Sequence, residues 1–366
     1  MNPLNRQTLL GVVQTLLGAL VADLAYQVTH LHGGTLGDVR RVSGQATLTG
    51  GAVRPFDVVW KTQQKWLRPG DPGSWRREYD LYRSDLGLLF NPSLRWPACY
   101  LAERDGDQTH LWLEFIDGVS GRDLTVNMLE QAALELGRFQ GRLSRQPEAL
   151  RSVGNLNDTG FLKRDFAQWH TQTNSEAFLL SAACRLPEHL KHRLKTGDIR
   201  LCPGKSFEYS TLRSKGCTLP EHLKQMIFAL DDQQEERFAS LDRLPVVLCH
   251  RDFWIENIFA TDDGIRLIDW DTAGWGYAGE DIASLIIDET EPACVDSCIR
   301  RLIPAYRQGL AESIDVSGID EAGILDLILI KFGYRMVQTY LFSESPAAQQ
   351  EQVSLLQLIY DRQPRR

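Results

Sequence analysis

A chain of 366 residues with 43% hydrophobic and 24% charged side chains has an ordinary globular composition, which excludes a disordered or fibrous protein, and its length exceeds what one hydrophobic core serves, so two lobes are expected. The formal net charge of -8 argues against a nucleic-acid surface, which needs clustered Lys and Arg. Seven Cys at irregular positions do not read as a disulfide framework and complete no zinc set, so a reducing, cytoplasmic compartment is expected.

In chain order, the first feature is the apolar run Leu9 to Ala22, which superficially resembles a signal-peptide core. Gln14 interrupts it, its charged flank is thin, and no small-x-small cleavage site follows, so residues 1–25 are expected to hold a helix packed on the body. No run of 18 or more apolar residues occurs elsewhere, and a membrane span is not expected. From Tyr26 to about Phe115 the pattern is that of strands, clearest at 27–32, 38–43, 57–61 and 110–116. Within it, Ser74 to Leu86 has helical periodicity, with Ser as an N-cap candidate and Gly87 just beyond.

After Asp117-Gly118 the periodicity becomes helical, over Thr125 to Leu143 and over much of the stretch from Asp296 onward. The expected architecture is therefore α+β: a small β-rich lobe over 26–116 and a larger, mainly helical lobe over 117–366, with the boundary near Ile116 to Ser120. The sequence LPEHLK occurs at 186–191 and again at 219–224. Two copies cannot build a solenoid, and Pro followed by Glu is a common helix start, so the pair reads as two independent helix starts. Ser144 to Leu244 carries no clear motif.

The chemistry concentrates in Cys249-His250-Arg251-Asp252-Phe253-Trp254-Ile255-Glu256-Asn257 and Leu267-Ile268-Asp269-Trp270-Asp271. Phosphoryl transfer needs a positioned hydroxyl, a metal held against the phosphates and neutralised charge. Asp252 and Asn257 lie on a loop after the apolar run Pro245 to Cys249, at a spacing that lets the first meet a hydroxyl while the second turns toward a metal. His250 is expected to pack and hydrogen-bond rather than to move a proton. A strand at 265–268, set off by the turn Asp262-Asp263-Gly264, brings Asp269 toward Asn257, giving the hard oxygen ligands that magnesium prefers.

Upstream, Lys61 ends the strand Asp57 to Lys61 and Glu78 lies on the expected helix, the arrangement by which a strand Lys held by a helix Glu grips nucleotide phosphates. Between two strands, His32 to Val39 is glycine-rich, and Gly33, Gly34 and Gly37 let the backbone lie close to phosphate oxygens.

Taken together, these residues resemble the aminoglycoside phosphotransferase and choline kinase-like family, the small-molecule branch of the protein-kinase-like fold; the densest part of the resemblance runs from Leu248 to Ile286. It implies a two-lobed kinase-like fold, an ATP (or GTP) and magnesium requirement, and transfer to a hydroxyl of an aminoglycoside, amino alcohol or sugar-like metabolite. It further implies Asp252 as base, Asn257 and Asp269 as metal ligands, Asp281 as a structural anchor, and backbone from Glu114 to Ile116 as the adenine cradle. Asp-Trp-Asp at 269–271 replaces the Asp-Phe-Gly of protein kinases, which favours the small-molecule branch. Asp271, Trp275 and the acidic stretch Asp288 to Glu291 either face the acceptor or form a solvated rim. The competing class is a catalytically inactive nucleotide-binding or scaffold protein on the same fold. The expected partners are a nucleotide and a small substrate, with neither nucleic acid nor membrane.

Overall fold

The computed structural model describes residues 4–31, 37–66, 68, 71–170, 218–343 and 345–363. Gly33, Gly34 and the first LPEHLK copy lie outside them. Helix α1 (Arg6–Leu17) begins where the side chain of Asn5 accepts from the amides of Gln7 and Thr8, and ends at Gly18, whose φ of 60° is left-handed. Leu9, Val12 and Val13 are its buried face, which accounts for the apolar run. Strand β1 (Val21–His30) follows at once, so the sheet begins at Val21 rather than at Tyr26, because Gly18 turns the chain before the apolar run ends.

Strands β2 (Gly37–Leu48) and β3 (Val53–Gln64) continue a meander. After helix α2 (Ser74–Tyr82) come β4 (Leu94–Arg95), β5 (Cys99–Asp105) and β6 (Gln108–Glu114). The resulting five-stranded antiparallel sheet has the order β1-β2-β3-β6-β5. Period-two alternation decides what faces what. Phe56, Val58 and Trp60 of β3 pack with α1 in one cluster, where Trp60 stacks on Trp112 at 5.3 Å. Lys61 is thereby turned to the opposite face, where α2 lies. Helix α2 stops short of the expected Leu86 because Ser84 intervenes. Its Oγ donates to the Leu81 carbonyl at 2.6 Å and accepts from the Leu86 amide at 3.2 Å, and residues Asp85–Leu89 tighten into a 3-10 turn.

The remainder comprises β7 (Val119–Ser120), α3 (Val126–Arg145), α4 (Gly160–His170), α5 (Glu221–Asp232), α6 (Gln234–Leu241), β8 (Val246–Cys249), β9 (Ile258–Thr261), β10 (Gly264–Leu267), β11 (Gly274–Tyr277), α7 (Glu280–Ile287), α8 (Pro292–Ala311), α9 (Glu321–Phe342) and α10 (Pro346–Arg362). Strands β4, β10, β9 and β7 make a second sheet, and β8 pairs with β11. The chain leaves the first sheet at Glu114 and joins the second at Val119. One large apolar cluster unites the helices with this second sheet. Cys294 and Cys298 share α8 as free thiols, Cys298 being buried. Among the described residues no helix is long and apolar enough to cross a membrane.

Helices α3 and α8 approach closely because each presents glycine at the crossing. A Cβ on Gly309 would run into the Leu134 carbonyl, and one on Gly137 into the Tyr306 carbonyl. Overpacking of such a contact costs about 1–3 kcal/mol. Gly309→Ala should therefore lower the thermal midpoint measured by circular dichroism, and an unchanged midpoint would contradict this packing.

Candidate active site

The β9–β10 hairpin builds the centre of the site. Leu267 pairs with Ile258, and the Ile268 amide donates to the Asn257 carbonyl at 3.0 Å, so Asn257 enters one strand where Asp269 leaves the other. Strand β8, which leads into the loop that carries Asp252, pairs instead with β11 beyond Asp269. Both Arg251 (φ 69°) and Asp269 (φ 65°) adopt the left-handed conformation that non-glycine residues rarely take, placing strain where the Asp252 loop begins and where the chain leaves β10.

Lys61 is the hub of the buried charges. Its Nζ lies 2.5 Å from Glu78 Oε2 and 2.7 Å from Asp269 Oδ1. The other Glu78 oxygen accepts from the Trp270 amide at 3.3 Å, so the helix, the strand and the turn at Asp269 share one cluster. Burial opposes the charge on Lys61, but Asp269 and Glu78 outweigh it and hold the ammonium pKa well above its ordinary value. Asp269, despite burial, is kept below the usual carboxylate range by Lys61, whereas burial pushes Glu78 up.

Asn257 donates through Nδ2 to both the carbonyl and the carboxylate Oδ2 of Asp252, each at 2.8 Å. That fixes which way the amide points and leaves its Oδ1 as the available acceptor. Burial, then the charge of Asp269, pushes the Asp252 pKa up. His250 is fully buried. Its Nε2 faces the Ile268 carbonyl at 2.9 Å and so carries the proton, its ring lies 4.6 Å from Trp270, and burial lowers its pKa. It packs and bonds, as read from the sequence. Trp270, 1% exposed, fills the space beneath the site against Phe90, Trp96 and Phe139.

Asp281 holds the loop from below. It accepts from the amides of His250 (2.8 Å) and Arg251 (2.7 Å) and from Gln140 Nε2 (3.0 Å). Gln140 also donates to the Leu248 carbonyl at 2.9 Å and accepts from Tyr306 OH at 2.6 Å. Burial pushes Asp281 up, against Lys331 and the amides that favour its charge. Sequence reading missed Gln140 and Tyr306, since nothing distinguishes one Gln on a helix face from another.

The remaining sequence candidates fall in three groups. Gly37 opens β2 opposite Gln63, and a Cβ there would meet the Thr62 carbonyl at 2.9 Å. The Glu114 side chain pairs with Arg95 at 2.5 and 2.9 Å and accepts from the Ala98 amide at 2.8 Å, while Ile116 is half-buried beyond the end of β6. Asp271 faces Arg68 at 3.3 Å and, with Lys61, Glu78 and Trp75, lines a small cavity; burial, against Arg68, pushes its pKa up to about 7. Trp275 lies on β11, its amide donating to the Asn157 carbonyl at 2.8 Å. The stretch Asp288 to Glu291 is engaged by neighbours: Asp288 pairs with Arg335, Glu289 lies 3.8 Å from Arg122, and Thr290 donates to the Leu285 carbonyl at 3.1 Å.

The donor chemistry suits magnesium. Asp269 keeps one oxygen beyond that taken by Lys61, Asn257 offers Oδ1, and both are hard ligands. Four carboxylates (Glu78, Asp252, Asp269, Asp271) gather around two cations (Lys61, Arg68), an excess of negative charge that a divalent cation offsets.

A small sheet with its strand Lys and helix Glu, joined to a helical body that carries loop and metal turn, defines a protein-kinase-like α+β fold. Residues 203–312, which include the loop, the hairpin and Asp281, match the model of the phosphotransferase enzyme family. Over most of its length the chain resembles choline kinase from Cryptosporidium parvum Iowa II (TM-score 0.52, 15% identity, covering 92% of this chain and 89% of that one). It also resembles an aminoglycoside phosphotransferase from Alicyclobacillus acidocaldarius (0.50, 16%, 99% and 94%) and a microcompartment-associated aminopropanol kinase (0.50, 14%, 95% and 94%). A sequence search of curated proteins finds no match. Identities this low establish the fold and leave activity to the site.

Removing the Asp281 carboxylate leaves the His250 and Arg251 amides and one of the two Gln140 Nε2 hydrogens without an acceptor, at about 1–3 kcal/mol for each buried donor. Asp281→Ala should speed hydrogen exchange at the His250 and Arg251 amides and lower the melting midpoint; unchanged protection at both would refute the anchoring.

Proposed function

We propose that the protein is an ATP- and magnesium-dependent phosphotransferase that phosphorylates a hydroxyl of a small molecule, such as an aminoglycoside, an amino alcohol or a sugar-like metabolite. The observation that carries this reading is the joined set of Lys61 with Glu78 and Asp269, beside Asp252 held by Asn257. An inactive scaffold needs no such set, and a buried ion cluster is weak evidence for stability alone.

In this reading Lys61, aimed by Glu78, binds the nucleotide phosphates, with GTP as the alternative donor to ATP. Gly37, at the start of β2, contributes backbone to the phosphate site, a role that the sequence pattern extends to Gly33 and Gly34, and backbone from Glu114 to Ile116 receives the base. Asn257 Oδ1 and the Asp269 oxygen not taken by Lys61 would hold magnesium, which would supply charge neutralisation at the phosphates. Asp252 accepts a hydrogen bond from the acceptor hydroxyl, orients its oxygen toward the terminal phosphorus and takes its proton as the new P–O bond forms and ADP departs. Burial that raises the pKa of Asp252 makes it a better proton acceptor near neutrality. Asp271 belongs with the charge cluster around Lys61 and Arg68, and Trp275 stands beside the loop as a candidate acceptor contact. The reaction is placed in the cytoplasm, where ATP is abundant and free thiols such as Cys99 and Cys249 stay reduced.

Incubation of the purified protein with magnesium and ATP against a panel of aminoglycosides, amino alcohols and sugars should give ATP-dependent mass gain of one phosphoryl group. Asp252→Ala should reduce the rate by about 10²-fold or more, and chelation of magnesium should abolish it. Phosphorylation that survives Asp252→Ala intact, or a panel and metabolite extract that both stay unmodified, would refute the proposal.

A further inference from the structure

Two arginines, each next in sequence to a residue of the proposed reaction, grip one short stretch of backbone. Arg77, adjacent to Glu78, is fully buried and donates from Nε (3.0 Å) and Nη2 (2.7 Å) to the Asn155 carbonyl. The rest of its fork is also used, pairing with both Asp71 oxygens at 2.6 and 2.5 Å and with the Asp271 carbonyl at 2.7 Å. Arg251, adjacent to Asp252, donates from Nη2 to the carbonyls of Asp158 (2.9 Å) and Trp275 (2.7 Å), and its guanidinium lies 4.4 Å from the centre of the Phe161 ring. Between the two grips, the Asn157 carbonyl takes the Trp275 amide at 2.8 Å, and Asn155 Nδ2 donates to the Gly73 carbonyl at 3.1 Å, at the start of α2.

Carbonyls of an irregular segment ordinarily turn to water. Here charged donors from both sides take them, in the strong, directional form of hydrogen bond. A planar guanidinium fixes distance and direction together, which an ammonium does not. Displacement of Asn155 therefore displaces α2 and Glu78, and displacement of Asp158 displaces the loop that carries Asp252. Transfer requires the phosphate held by Lys61 and the hydroxyl held by Asp252 to meet in line, so the separation of these two elements matters as much as either one.

We infer that residues 155–158 form a strap that sets the nucleotide-gripping helix and the catalytic loop at a fixed separation, with Arg77 and Arg251 as positioning residues that touch neither substrate. The inference rests on the phosphotransferase reading above.

Calorimetric titration of magnesium AMP-PNP into the full-length wild type, Arg77→Lys, Arg251→Lys and the double variant tests it, at a temperature where far-ultraviolet circular dichroism shows all four folded. Each single change should weaken binding on the order of tenfold, and the double variant should bind within about threefold of the weaker single variant, because a strap released at one end no longer transmits from the other. A merely structural contribution lowers melting midpoints without producing that coupling. Effects that multiply in the double variant, or an affinity unmoved by Arg251→Lys, would overturn the strap. If Arg77→Lys does not fold, Asn155→Ala, which removes only the tie to Gly73, takes its place in the cycle with the same expectations. A wild type that does not bind magnesium AMP-PNP defeats the phosphotransferase reading and the strap with it; a wild type that binds, with independent variant effects, defeats the strap alone.

Discussion

Everything in the site depends on one buried ammonium. Lys61 stands between Glu78 and Asp269 on three different elements, and its position follows from the strand alternation that sends Trp60 into the α1 core and Lys61 to the other face. Taking three charges out of water is costly, and an apolar triad of similar volume would often be as stable. Such a cluster is retained where its field is used. Here one ammonium meets two carboxylates, so the remaining negative charge waits for a cation, and the ammonium is presented to whatever anion that cation brings. The pair of demands matches a metal-bound polyphosphate better than any single simple ion.

The surroundings are built to keep that geometry. Trp270 and His250 pack beneath it, and Asp281 holds the loop amides from a position that Gln140 and Tyr306 brace in turn. That bracing depends on the close crossing of α3 and α8 that two glycines permit. A buried helix crossing thus becomes part of the site: helix packing sets Gln140, Gln140 helps set Asp281, and Asp281 sets the backbone from which Asp252 projects. Chains of buried hydrogen bonds of this kind give a single well-defined arrangement when every member is satisfied.

Much of this was legible in the sequence, and the reasons differ by element. The loop and metal turn were readable because Asp252, Asn257 and Asp269 lie within one hairpin's length, where spacing dictates geometry. The Lys61 and Glu78 pair, a strand followed by a helix, was readable only together with the downstream motif at Asp252 to Asp269. Strand β5 was not, since it is an edge strand whose side chains are mostly part-exposed or exposed and carry no alternation. The end of α2 was missed because the Ser84 hydroxyl, not Gly87, breaks the helix. Arg77 could not be told from Arg76: one is fully buried with every nitrogen engaged, the other pairs on the surface with Asp80. Gln140, Tyr306 and Asn155 act across large sequence separations, which only the fold brings together.

The central claim is that Glu78 aims Lys61 at a nucleotide. Comparing the magnesium ATP affinity of Glu78→Gln with that of the wild type tests this most directly, because the change keeps the shape of the side chain and one acceptor oxygen while removing the charge that faces Lys61. The account predicts a loss on the order of tenfold, with the protein still folded, as the ammonium loses its fixed partner. An affinity equal to that of the wild type would contradict it.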